Sequence, residues 1–230
     1  MILAVDSSTR YAGVALADER GVLSCRAWYS TANHTMELMP AVAEVLRGHE
    51  VSVGALTGIA VALGPGGFSA LRVGISVAKG LAIASGAPMV GVGTLDLEAY
   101  PYLESGLPVC ALLDAGRGEA ASAHFGSDGR RLREDLVSPP EELLASISEP
   151  TLFCGEGAAA WREVIRDGLG PLGLLLARPA PAARLWSLVA LGRERLVAGD
   201  VSDLATLQPS YLRMPSIGGP KRRDWVPQER

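Results

Sequence analysis

The chain has 230 residues, 48% of them hydrophobic, which is enough for one large or two small domains with real cores. Its formal net charge of -4 excludes a global basic field able to hold nucleic acid by itself. Cys25, Cys110 and Cys154 stand far apart without a CxxC pair, which excludes a disulfide framework or structural zinc site and fits a reducing cytosol.

The opening Met1-Ile2-Leu3-Ala4-Val5-Asp6 has no basic stretch before its apolar run, so it is expected to be a strand over 2–5 rather than a secretory signal. Strands at 11–17 and 22–28 follow, joined by the turn Asp18-Glu19-Arg20-Gly21. A helix is expected over 35–47 and a strand over 58–63. Next comes Gly64-Pro65-Gly66-Gly67, a turn that opens a helix over 68–84, and then a strand at 89–92. A glycine turn between strand and helix leaves helix-start N–H groups free to receive an anion, or lets another backbone approach closely. It is not a Walker-type phosphate loop, because Gly67 leads into Phe68 and not into Gly-Lys-Ser/Thr. The apolar runs are interrupted by Lys79 or too short to span a bilayer, so a soluble cytoplasmic protein without membrane association is expected.

The second half repeats the order. A strand at 109–113 ends at Asp114 as the first ends at Asp6, and strands at 119–125 and about 132–137 follow. Ser138-Pro139-Pro140-Glu141 has the form of a capping box, predicting a helix over 139–147. A strand at 151–154 leads through Gly155-Glu156-Gly157 into a helix ending near Trp161, and a last helix is expected over 182–197. The fold class is therefore α/β, a duplicated βββαβα unit forming two similar domains, 1–104 and 105–213, that face a cleft. The residues from 214 to 230, including the basic Lys221-Arg222-Arg223, are expected to be a flexible tail.

Two helices carry more apolar surface than one sheet can cover. Between 34 and 47 the charges inside the helix ends are Glu37 and Glu44, on one narrow stripe, so burial on a second side is expected, by a partner or by a thick domain core. In the next helix Ala70, Gly74 and Ala78 form a small-residue ridge, beside a polar stripe of Ser69, Arg72, Ser76 and Lys79. Arg72 sits in the first turn, where the helix dipole disfavours a cation unless a carboxylate compensates or the side chain extends into solvent. The expected partner interface is Glu37, Leu38, Ala41, Val42, Val45, Arg72, Ile75 and Lys79.

A duplicated βββαβα unit with an acid at each first-strand end resembles the actin, Hsp70 and sugar-kinase superfamily. Within it, Ile2 to Thr9, His34-Thr35-Met36-Glu37-Leu38-Met39-Pro40, Gly64 to Gly74 and Pro209-Ser210-Tyr211-Leu212-Arg213 together resemble the TsaB (YeaZ) family. That family usually has serine at the position of Gly67, threonine at Ser69, glycine at Ala70, and Asp-Ala-Arg where this chain has Asp114-Ala115-Gly116-Arg117. The resemblance implies a non-catalytic activating subunit without cofactor. It would pair with a TsaD-like catalytic subunit, alongside a TsaE-like ATPase, for threonylcarbamoylation of tRNA adenosine next to the anticodon. A homodimer is implied for the chain alone, and the helix pair is the surface used for either pairing.

The alternative is a stand-alone, kinase-like ATP-binding enzyme using the cleft at Asp6, Ser7, Ser8, Asp114 and Gly116. Asp6 and Asp114 would then orient a metal-bound water; otherwise they cap strand ends by bonding local backbone. The superfamily's first phosphate loop carries a glycine that Asp6-Ser7-Ser8-Thr9 lacks, and no lysine falls in either loop. The TsaD-like relative holds a metal through two histidines on one helix, whereas here Leu38 stands four residues after His34, so no metal site is expected. No Gly-x-Ser-x-Gly elbow is present for a hydrolase.

Overall fold

The computed structural model describes residues 1–31, 33–176 and 180–212. The tail expected at 214–230, with Lys221, Arg222 and Arg223, lies outside the described residues, as does Arg213. Two five-stranded mixed sheets share one topology. In the first, β1 (Ile2–Asp6) pairs antiparallel with β2 (Tyr11–Asp18), which carries β3 (Gly21–Tyr29) at the edge. On its other side β1 pairs parallel with β4 (Gly58–Gly64), followed by β5 (Met89–Gly93). The second sheet repeats this around β6 (Val109–Gly116), with β7 (Glu119–Phe125) and β8 (Leu136–Ser138) antiparallel. Strands β9 (Thr151–Cys154) and β10 (Gly173–Leu175) run parallel on its other side.

The helices are α1 (His34–Gly48), α2 (Phe68–Ser85), α3 (Thr94–Ala99), α4 (Pro140–Ala145), α5 (Glu156–Ala160), α6 (Arg162–Leu169) and α7 (Pro181–Ala198). Helices α1 and α2 lie side by side on one face of the first sheet, seating Leu38, Val42, Val45, Ile75 and Leu81 against Leu3, Val5, Val14 and Ile59. By length and composition α2 could cross a membrane, yet Leu71, Gly74, Ile75, Ala78, Leu81 and Ala82 are buried within the fold.

The opposite face is built from Ala4, Ala15, Ala17, Ala60 and Ala62, small enough to admit a helix at close range. That helix is α7, which the sequence order assigns to the second half. At Gly192 a Cβ would stand 2.6 Å from the Ala60 Cβ, which explains a glycine in mid-helix. The exchange is mutual: α3, from the first half, places Leu95 and Ala99 in the core of the second sheet with Val109, Ala111, Ala121 and Ala123. Each half therefore lends its last helix to the other, and both central strands, covered on both faces, are continuously apolar.

Several boundaries differ from expectation. The capping box at Ser138 does not form: Ser138 pairs with Ala120 in β8, and the N-cap of α4 is Pro139 with no side-chain cap bond. The helix shortens to Pro140–Ala145, and the expected strand at 132–137 reduces to Leu136–Ser138 plus one bridge between Phe125 and Arg131. The helix expected to end near Trp161 breaks there and resumes as α6.

Candidate functional site

Strand β1 ends at Asp6, which is buried at 1% exposure, and directly above it sits the guanidinium of Arg184, 2% exposed. Arg184 Nε donates to Asp6 Oδ2 at 2.6 Å, and Nη1 donates to Glu98 Oε1 at 2.8 Å and to Glu156 Oε1 at 2.9 Å. Nη2 donates to the Thr9 hydroxyl at 3.0 Å and to the Tyr11 carbonyl at 2.6 Å. The three carboxylates come from β1, α3 and the first residue of α5, so both halves of the chain meet on one cation.

The electrostatics follow from burial. Desolvation opposes the charge on Arg184, but Asp6, Glu98 and Glu156 outweigh it and raise its pKa, so the guanidinium stays charged. Desolvation also raises the pKa of Glu98; Arg184 works against that rise, and the neighbouring Glu156 and Asp6 add to it. Sequence reasoning missed Arg184, Glu98 and Glu156. One signal was present: Arg184 stands four residues before Leu188, on the apolar stripe of its helix, where a solvated arginine does not belong.

The glycine turn packs against backbone at close range. A Cβ on Gly66 would lie 2.0 Å from the Ser8 carbonyl oxygen, and one on Gly74 would lie 2.2 Å from Ser7 Oγ. The Gly67 N–H donates to the Ser8 carbonyl at 2.9 Å, and the Ser7 hydroxyl donates to the Ala70 carbonyl at 2.7 Å. The Ala70 and Gly74 part of the small-residue ridge therefore receives this chain's own 7–8 loop.

These contacts correct the kinase-like alternative. Asp6 is held by Arg184, by the Ser8 N–H at 2.9 Å and by the Ser8 hydroxyl at 2.6 Å, all from this chain. Asp114 is exposed and accepts from the Gly116 N–H at 2.7 Å, so the two acids share a topological position but not an environment. Both bond local backbone, as strand-end caps do. Among the described residues no group of three or more His, Cys, Asp or Glu is arranged to hold a metal ion. His34 instead places Nε2 at 3.2 Å from the Thr9 carbonyl.

The expected interface residues divide. Leu38, Ala41, Val42, Val45 and Ile75 are buried in the first core, so the second side of burial for α1 is its neighbour α2 and a deep core. Glu37 is half-buried and accepts from Trp28 Nε1 at 3.0 Å. Lys79 donates to the Leu207 carbonyl at 2.8 Å. Arg72 finds neither a carboxylate nor open solvent alone: its guanidinium lies 3.9 Å from the Phe68 ring centroid and its Nε donates to the Tyr211 hydroxyl at 3.0 Å. What α1 and α2 turn outward is a different set, with Met36 71%, Met39 44% and Ile83 73% exposed, beside the exposed Ala43, Ser76 and Gly80.

Sequence comparison adds the family. The chain is 30% identical to the tRNA threonylcarbamoyladenosine biosynthesis protein TsaB of Bacillus subtilis, over 93% of this chain and 94% of that protein. The chain belongs to the TsaB (YeaZ) family. The Escherichia coli TsaB is 29% identical over 92% of this chain and 94% of that protein. The solved structure of YeaZ from Pseudomonas aeruginosa superposes with a TM-score of 0.75 at 30% identity, covering 92% of this chain and 99% of that one. A family model described as TsaD, tRNA N6-adenosine threonylcarbamoyltransferase, also matches residues 28–201, so the TsaB and TsaD sequences are related through most of this fold.

Proposed function

We propose that this chain is a non-catalytic activating subunit in the biosynthesis of threonylcarbamoyladenosine on tRNA, pairing with a TsaD-like catalytic subunit. Its TsaB relatives carry that pathway in their names, and the TsaD family model matches this chain as well. The observation that carries the accessory role is Arg184. Phosphoryl and acyl transfer need positioned charge facing a substrate, and here the strand-end carboxylate of Asp6, together with Glu98 and Glu156, faces the chain's own guanidinium. The pairing surface is the outward face of α1 and α2, where Met36, Met39 and Ile83 are exposed beside small residues. A face of that kind suits a second helix pair, from a relative of the same fold or from another copy of this chain when it is alone. The assembly would include a TsaE-like ATPase and act on tRNA in the cytoplasm.

The test is reconstitution. A TsaD-like enzyme, its ATPase and tRNA should give modified adenosine only when this chain is added, while the chain alone should take up no ATP in a calorimetric titration. Micromolar ATP binding by the isolated chain, or modification that proceeds at full rate without it, would defeat the reading.

A further inference from the structure

The first turn of α1 is held from outside. Its N-cap, Asn33, makes no side-chain cap bond, so one of the usual local anchors of a helix start is missing. Two side chains in that turn anchor it instead. Glu37 accepts from Trp28 on the neighbouring β3, and His34 Nε2 lies 3.2 Å from the Thr9 carbonyl. A carbonyl only accepts, so the His34 ring donates there.

Thr9 is in turn fixed by residues of the buried cluster. Its hydroxyl has one proton and two lone pairs, and all three are engaged. The proton goes to Glu156 Oε1, while the oxygen accepts from Arg184 Nη2 at 3.0 Å and from the Tyr11 N–H at 3.0 Å. Glu156 opens α5 of the second half, immediately after β9. A continuous chain of contacts therefore runs from Glu156 through Thr9 and His34 into the turn that carries Met36, the exposed methionine nearest the helix start.

We infer that Glu156, Thr9 and Arg184 are positioning residues for the partner-binding face, so that the second half of the chain sets the angle at which α1 is presented. The inference rests on the proposed pairing through α1 and α2. It makes the cleft a mechanical element: closure of the two halves on Arg184 and readiness of the docking face are one equilibrium, because Thr9 serves both, its hydroxyl bonding the cluster and its carbonyl bonding His34. A physical warrant for such coupling is non-additivity, and the geometry supplies a short chain in which to look for it.

The experiment measures affinity of the full chain for the TsaD-like subunit by calorimetry, for the parent, Glu156→Gln, Thr9→Val, His34→Ala and His34→Gln. Glu156→Gln and Thr9→Val should each weaken binding by about two- to thirty-fold, although neither residue lies on the outward face of α1 or α2. His34→Gln should recover most of what His34→Ala loses, because a side-chain amide still donates. The double variant Glu156→Gln/His34→Ala should lose less than the sum of the two single losses. Amide exchange at Met36 and Glu37 should quicken in Thr9→Val at unchanged global stability, which a merely structural role would not produce. If Glu156→Gln does not fold, Thr9→Val, which removes no charge, decides the matter. Parent-like binding by Thr9→Val, or strict additivity in the cycle, overturns the inference. Failure of the parent itself to bind overturns the proposed function instead.

Discussion

Arg184, in the first turn of α7, and Glu156, at the start of α5, meet at 2.9 Å, and this ion pair joins the helix that covers the first sheet to the lobe built on the second. Helix α7 lies on the first sheet, so the pair is a bond between lobes rather than within one. Asp6 and Glu98 share the same guanidinium, which offsets the penalty of holding a cation near a helix N-terminus. Truncating Arg184 would leave Asp6 and Glu98 buried without their counter-charge. Arg184→Ala should therefore lower stability by about 3–5 kcal/mol, measured by urea unfolding. Replacing the cluster together, with Arg184→Met, Asp6→Asn and Glu98→Gln, should restore much of that loss. A single Arg184→Ala variant as stable as the parent would mean that the charges are solvated after all.

Glu98 gives a pH dependence of definite sign. Its pKa is raised above the ordinary 4.5 by burial, against the pull of Arg184 and with the help of Glu156 and Asp6. At low pH it is protonated in folded and unfolded chains alike. As pH climbs from about 4.5 through its raised folded value, the unfolded chain ionises first and Glu98 favours unfolding. Glu98→Gln removes that contribution while keeping an oxygen for Arg184 Nη1. The variant should thus gain in melting temperature relative to the parent as pH rises from 4 to 8. A difference that is flat or falls with pH would show that Glu98 ionises freely in place.

His124 acts in the opposite direction. Burial, then the charge of Arg133, hold its pKa down from 6.5 to about 4, and Arg133 Nη2 donates to its Nε2 at 2.7 Å. The folded ring therefore stays neutral with its proton on Nδ1, while the unfolded ring takes up a proton below 6.5. Stability should fall as pH drops from 6.5 towards 4, at up to about 1.4 kcal/mol per pH unit from this group. His124→Gln should flatten the slope in chemical denaturation run across that range. An unchanged slope would assign the acid sensitivity to other residues.

The sequence revealed the duplicated architecture because its long elements are strongly patterned. Strand β7 and the helix Phe68–Ser85 were within a residue of their observed ends. Elements of three to six residues, β10 and α3, were missed because such lengths hold too little periodicity to declare themselves. The candidate cleft was half visible. Asp6 and Asp114 could be matched by position, but only α7, whose arginine arrives 178 residues after Asp6, makes one acid buried and leaves the other exposed. The interface helices were found, but their outward residues were not. An apolar circumference does not say which side faces a deep core, and Val42 and Val45 turned out to point inward.

That correction changes which substitutions separate folding from association. Val42 and Val45 are 1% and 5% exposed within the first core, so Val42→Glu or Val45→Glu would bury an unpaired carboxylate and should unfold the chain at every concentration. Met36 and Met39 are 71% and 44% exposed, three residues apart on the outward face of α1, and a charge there costs the isolated chain little. Once a partner covers that face the same charge would have to be desolvated without a counter-ion. Met39→Asp should therefore keep the parent's circular dichroism and leave its melting temperature within about 2–4 °C, the span of a 1 kcal/mol change in a chain of this size. It should also weaken pairing with the TsaD-like subunit by at least about thirty-fold, as the loss of about 2 kcal/mol at an interface hot spot would. In the reconstituted modification assay, Met39→Asp should remove most of the stimulation given by the parent, and raising its concentration should restore it. Full stimulation by Met39→Asp and Met36→Asp at sub-micromolar concentrations would show that the subunit docks through another face.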